Sequence, residues 1–306
     1  MPYQTEDIFR KLQTYLEEHS DKIKSEEDLN KFTAEFILKY NQGIRSDTSA
    51  KQSPKTSDDY LELAENAPSH KEYLEYLNKA LELDENNLDT TRMLIDETID
   101  NPIKALEEYK KLVEKGAKIL EKQGYFDEAE KYEFWLAFET RPYMRARYWY
   151  MHLLVDCGMM RQAALECEGM LKLCRDDNLG VRYELMHIYA FLEDEPSGTN
   201  LFNQYKEIST HFALPYAILY FKLGNLKKSA DLLKKLAEKN KDTKKFLHTI
   251  NSKNSSSMDK YMQEMDPYGE RFNSIDEFLG ELHNYEYLSI TTPSFFSWAN
   301  RELKKK

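Results

Sequence analysis

The feature that most constrains this chain is a recurring helical unit. Tyr148-Trp149-Tyr150-Met151 is followed by Gly158 and then by Ala163, Cys167 and Leu171. Tyr216-Ala217-Ile218-Leu219 is followed by Gly224 and then by Ser229, Leu233 and Leu236. In both, an apolar stretch at helical spacing runs to a glycine, which suits the left-handed residue that ends many helices. A second apolar stripe then opens with a small residue, where two helices can cross closely. The two glycines stand 66 residues apart, twice 33. A period of that size is the signature of stacked helical pairs, each too small to bury its own apolar face. Residues 78–84 read as the second helix of another pair and its exit, and residues 105–109 as the start of one more after the Asn101-Pro102 turn. Residues 177–209 break the pattern, with no glycine at the expected turn.

Helical spacing extends to both ends. Ile8, Phe9, Leu12, Tyr15 and Leu16 share one face. Ser25, followed by Glu26, Glu27 and Asp28, reads as an N-cap with acids in the first turn. It opens a helix with Leu29, Phe32, Phe36, Ile37 and Tyr40 on its apolar face and Gly43 as its end. Ile275, Phe278, Leu279 and Leu282 recur at helical spacing in the tail. Residues 45–57 hold no large apolar side chain and read as a linker, as do residues 251–257. The expected organisation is a helical hairpin over 1–44, a linker over 45–57, a helical repeat domain over 58–250, and a linker with a C-terminal capping segment over 251–306. Only 10 glycines and 9 prolines in 306 residues argue against a turn-rich all-β fold, and 41% hydrophobic residues suffice for a core. The expected fold class is all-α, a superhelix of helical pairs.

The polar start of the chain, MPYQTEDIFRK, does not read as a signal peptide. No uncharged stretch exceeds 14 residues, the length of residues 208–221, against the roughly 20 of a membrane span. A cytoplasmic location without membrane contact is expected. Three cysteines, Cys157, Cys167 and Cys174, do not make a disulfide framework or a zinc site, and read as small buried apolar residues. No metal or cofactor is expected.

Two phrases stand out. Residues 139–149 read Glu-Thr-Arg-Pro-Tyr-Met-Arg-Ala-Arg-Tyr-Trp, and residues 176–183 read Asp-Asp-Asn-Leu-Gly-Val-Arg-Tyr. The pairs resemble degenerate tetratricopeptide repeats, whose period is about 34. The two phrases resemble those of a family of bacterial cytosolic tetratricopeptide-repeat proteins, in which ETRPYMRAR-like and DNxGVRY-like segments flank the best-formed repeat. The resemblance extends upstream through residues 100–138 and to the tail, where Asp266-Pro267-Tyr268-Gly269 precedes an acidic helix and Trp298. It spans about two-thirds of the chain and leaves out the N-terminal 45 residues. It implies a stack of helical pairs. Some members carry an added zinc module, for which this chain lacks the cysteines.

The first helices of such pairs line a concave groove. Arg145, Asn178, Arg182, Tyr148 and His152 are the candidates to line it here, with arginine suited to a carboxylate and asparagine to a peptide backbone. The competing reading pairs Arg141, Arg145 and Arg182 internally with Glu139 and Asp176 or Asp177. A second candidate surface is a basic helix over residues 222–245 with Lys227, Lys228, Lys234 and Lys235. The net charge of −11 disfavours a uniformly basic nucleic-acid binder, but it is graded, from −11 over the first 100 residues to +4 over the last 106. No H-E-x-x-H, G-x-S-x-G or glycine-rich phosphate loop occurs, so the chain reads as no enzyme. The function expected is an adaptor or scaffold that binds a peptide or partner domain, possessing no cofactor. The alternative is an RNA- or ribosome-associated factor using the basic helix.

Overall fold

The computed structural model describes residues 3–46, 54, 56–127, 133–251 and 271–304. Among these the chain is all-α, without a strand. It divides into two compact units, Met1–Phe126 with Leu136–Ala146, and Asp127–Trp135 with Arg147–Lys306. The division falls inside the stretch 58–250 that the sequence groups as one repeat domain.

The first unit opens with a hairpin of α1 (Tyr3–Glu18) and α2 (Glu26–Ser46). Ser25 Oγ accepts the Asp28 N–H at 3.1 Å, as its capping role requires. Tyr15 packs against Phe32 and Phe36 between the helices. The helix does not stop at Gly43 but runs to Ser46, since glycine permits a left-handed end without compelling one. Two helical pairs follow: α3 (Ser57–Glu65) with α4 (His70–Leu83), and α5 (Leu88–Thr98) with α6 (Pro102–Lys122). Each helix starts on a side chain. Thr56 and Asp59 form a reciprocal capping box, Ser69 accepts from Glu72, Asn87 from Thr90, and Asn101 from Ile103 and Lys104 ahead of Pro102. Most of the linker expected over 45–57 lies outside the described residues, and its end already caps and starts α3.

The second unit takes up α7 (Arg141–Asp156) from Arg147 onward. It continues through α8 (Met160–Leu173), α9 (Val181–Leu192), α10 (Glu195–Tyr205), α11 (Thr210–Lys222), α12 (Leu226–Lys239) and α13 (Thr243–Ile250). Three short helices close it: α14 (Ile275–Asn284), α15 (Glu286–Thr291) and α16 (Pro293–Glu302). The pairs α7/α8, α9/α10 and α11/α12 turn on residues with positive φ, Gly158 at 71°, Glu193 at 59° and Gly224 at 76°. Five positions after each stands a buried small residue, Ala163, Gly198 and Ser229. The middle pair therefore keeps the turn geometry on a glutamate, and the spacing is 35 and then 31 residues. At Gly198 an added Cβ would lie 2.8 Å from Leu219 Cδ2, so α10 meets α11 too closely for alanine without a shift.

Helix α11 is buried at Thr210 and continuously from Phe212 to Tyr220. A helix apolar all round is one covered on all sides. Its neighbours are α9, α10 and α12 of the stack and α14 of the tail. That covering accounts for the uncharged stretch 208–221. Among the described residues no helix is long and apolar enough to cross a membrane. The tail does more than close the end of the stack: α14 packs on α11 and α13, α15 on α9, and α16 on α12 and α13. Phe246 stacks on Phe278 at 4.4 Å and Phe221 meets Phe295 edge-on at 5.4 Å. The second expected linker, after Asn251, and the 266–269 phrase lie outside the described residues.

The basic stretch 222–245 is not one helix. It breaks between α12 and α13 at Asn240, which is buried and spends its side-chain amide on Thr210 Oγ1, the Ser274 carbonyl and Glu277 Oε2.

A left-handed backbone costs a non-glycine residue about 1–2 kcal/mol. Glu193→Gly is expected to stabilise the second unit by about 1 kcal/mol, read as a higher denaturant midpoint at unchanged slope. A lower midpoint would show that the 3.4 Å ion pair of Glu193 with Lys222 outweighs the backbone cost.

Candidate functional site

Two arginines of the first phrase, Arg145 and Arg147, are held by internal acids. Arg145 lies in the first unit, its Nε 2.9 Å from Asp89 Oδ1 and its Nη2 2.6 Å from Asp89 Oδ2, with both side chains at or below 10% exposure. Its side chain is buried. Asp89, which takes two of its nitrogens, is on α5, 56 residues back. Arg147, in the second unit, pairs with Glu166 at 2.7 Å and lies across Gly169, where a Cβ would fall 2.3 Å from its Nη2. Arg141 sits 4.3 Å over the Phe138 ring. Tyr143 packs on Gly116 of α6, within the first unit.

The second phrase builds the start of α9. Asp177 takes a left-handed φ of 50°, and its carboxylate accepts the N–H groups of Val181 at 2.7 Å and Arg182 at 3.0 Å. Arg182 returns to Asp177 at 2.8 Å, reaches Glu207 at 3.1 Å and lies 4.1 Å over the Tyr183 ring. Burial pushes the Asp177 carboxyl up, and these hydrogen bonds and the Arg182 charge offset only part of that push. Asn178 remains exposed and accepts from Cys174 Sγ at 3.4 Å. Of the two residues expected to share a partner-facing surface, Arg182 thus turns inward.

The remaining candidates do come together, on the face made by the first helices of the second unit. Tyr148 and His152 of α7 meet edge-to-face at 4.5 Å, and His152 Nε2 is 3.9 Å from Glu184 of α9. Glu184 accepts the Tyr285 hydroxyl at 2.9 Å, and the Tyr285 ring stacks on His187 at 3.5 Å. His187 Nδ1 faces the Tyr183 carbonyl at 2.7 Å and its Nε2 faces Glu281 Oε2 at 2.5 Å. His211 Nδ1 bonds the other Glu281 oxygen. Carbonyls and carboxylates only accept, so both ring nitrogens of His187 face acceptors. Burial pushes the Glu281 carboxyl up, but the charges and hydrogen bonds of His187 and His211 outweigh it and hold it below its usual range. One turn earlier, Glu277 accepts from Thr210 Oγ1 at 2.6 Å and from Asn240 at 3.1 Å.

Glu277, Glu281 and Tyr285 thus form a polar stripe of four-residue steps that seats α14 on α9, α11 and the end of α12. Sequence reading took only the apolar stripe of this helix. The signal for the other was the same spacing, read for carboxylates. On α12, Lys228 turns in to the Tyr220 hydroxyl and lies 3.9 Å over its ring, while Lys227, Lys234 and Lys235 are exposed. Cys167 and Cys174 are buried. Among the described residues no three His, Cys, Asp or Glu side chains gather as metal ligands. Comparison with protein-family models finds no match, and neither does comparison with curated proteins.

Two measurements follow from this geometry. Breaking one partner of a buried pair costs about 3–5 kcal/mol. Asp89→Ala and Arg145→Ala are each expected to destabilise the first unit by that order. The double variant should lose clearly less than the sum, which a thermodynamic cycle reads. Additive losses would mean that the two side chains act through packing alone.

Because the Glu281 carboxyl lies below its ordinary value in the folded chain, its stabilisation is present in full above about pH 4.3 and is lost as the pH falls through the folded value. The melting temperature of Glu281→Gln should lie several degrees below wild type near neutral pH, and the gap should close on acidification below about pH 4. A gap independent of pH would assign the loss to packing.

Proposed function

We propose that the chain is a protein-interaction module, an adaptor or scaffold of tetratricopeptide-like helical pairs, cytoplasmic and non-enzymatic, of the bacterial family its two phrases resemble. The observation that carries this reading is the face of α7, α9 and α11. It presents Tyr148, the exposed Trp149, His152 and a set of polar receptors, and it already seats a helical segment through side-chain contacts rather than through apolar burial alone. Aromatic and histidine side chains on a first-helix face give contact area at low entropy cost. The second reading, an RNA- or ribosome-associated factor, rests on Lys227, Lys234 and Lys235, which are exposed on α12.

Affinity capture with the full chain separates the two. A protein held at high salt by wild type and by Lys227→Glu/Lys234→Glu/Lys235→Glu, but lost with Tyr148→Ala/His152→Ala of unchanged circular dichroism, is the expected result. Material lost only with the lysine reversals, and released by ribonuclease, would replace the adaptor with the second reading.

A further inference from the structure

A cleft of about 650 Å³ opens on the other side of the second unit, between α8, α9 and α10. That volume is within the range of sites that hold small ligands or short peptide stretches. Its floor includes Leu185 and Leu201. One wall is basic: Lys172 of α8 and Arg175 just beyond it are exposed. The opposite wall carries no charge and presents the amides of Asn200 and Gln204, four residues apart on α10 and both exposed. The acid on the basic wall, Glu168, is bound by the Tyr189 hydroxyl at 2.9 Å and so has a donor of its own.

We infer that this cleft binds an extended acidic peptide segment, with its carboxylates on Lys172 and Arg175 and its backbone on Asn200 and Gln204. The chemistry selects this class. Arginine forks and lysine ammoniums take carboxylates by charge-assisted hydrogen bonds. An amide side chain both donates and accepts, so it matches the alternating N–H and C=O of an extended chain, whereas a helix has already spent those groups on itself. The leucine floor takes one apolar side chain between the acids. A nucleic acid would call for aromatic stacking platforms beside the cations, and the one aromatic side chain of the lining, Tyr189, is buried. The site is distinct from the α7–α9–α11 face, so neither proposal depends on the other.

The probe is a fluorescein-labelled peptide with a Glu-Glu-Leu-Glu-Glu core between Gly-Ser flanks, titrated with the full chain and followed by anisotropy. Losing one charge-assisted contact costs about 1.5–3 kcal/mol, or roughly tenfold in affinity and more. Lys172→Glu/Arg175→Glu should therefore weaken binding at least about tenfold, and Asn200→Ala/Gln204→Ala several-fold. All four side chains are exposed, so both variants should keep the wild-type melting temperature. Lys234→Glu/Lys235→Glu makes the same change of charge on α12 and should leave binding as it is. So should Tyr148→Ala/His152→Ala, which reports on the other face. The inference is overturned by the absence of saturable binding up to about 1 mM, by equal weakening from the α12 reversal, or by equal affinity for a peptide with glutamine at each glutamate.

Discussion

The second unit is organised by the need to cover α11. In a bare stack of helical pairs the first helix of each pair has one side open to solvent. Helix α11 has no polar side to offer it, with Phe212 through Tyr220 all buried. The tail must therefore return to the first-helix face, and α14 is the element that does so. Once it is there, carboxylates and imidazoles are forced into a dry contact, where each unpaired group would cost several kcal/mol. The arrangement of Glu277, Glu281, His187, His211 and Tyr285 meets that demand. Buried ion pairs add little net stability over apolar contacts of the same shape, but they punish misplacement strongly. The clasp thus fixes the register of α14 on α9 and α11 more than it adds to the stability of the unit.

The two arginine phrases work by the same rule. The guanidinium groups of Arg145, Arg147 and Arg182 look like bait for an anionic partner, yet acids that hold them lie within the chain. Arg145 takes Asp89, Arg147 takes Glu166, and Arg182 takes Asp177 and Glu207. The second phrase is a helix start, with Asp177 capping α9 and Gly180 in the left-handed region ahead of Val181. Among the described residues of the second unit, the aromatic and histidine edge on α7, the exposed lysines of α12 and the cleft between α8 and α10 lie outside these arginine networks. Structural charges and available charges are separated side by side along the same helices.

The all-α class, the helical pairs and most helix starts are legible in the sequence. Spacing of three and four residues, Ser, Thr, Asn and Asp caps, and the glycines at 158 and 224 all act within a turn of the chain. The same local reading failed at three places. Gly43 permits a helix end that does not occur. Asn240 breaks a lysine-rich stretch of continuous helical pattern because its amide is claimed by Thr210, Ser274 and Glu277. Glu193 takes the left-handed turn that a glycine search passes over, because packing of α9 on α10 sets the turn and the residue tolerates it.

The sequence by itself determined that this protein is a series of short amphipathic helices that must stack in pairs, since those are consequences of local geometry and of apolar stripes too narrow to be buried alone. The tertiary structure alone decided which charges are spent and which remain. His187 and Glu281 stand 94 residues apart and Arg145 and Asp89 stand 56 apart, and a charge cannot reveal its partner until the chain between them has folded. That is why one array of arginines can be read as a groove or as an ion network until the helices are in place.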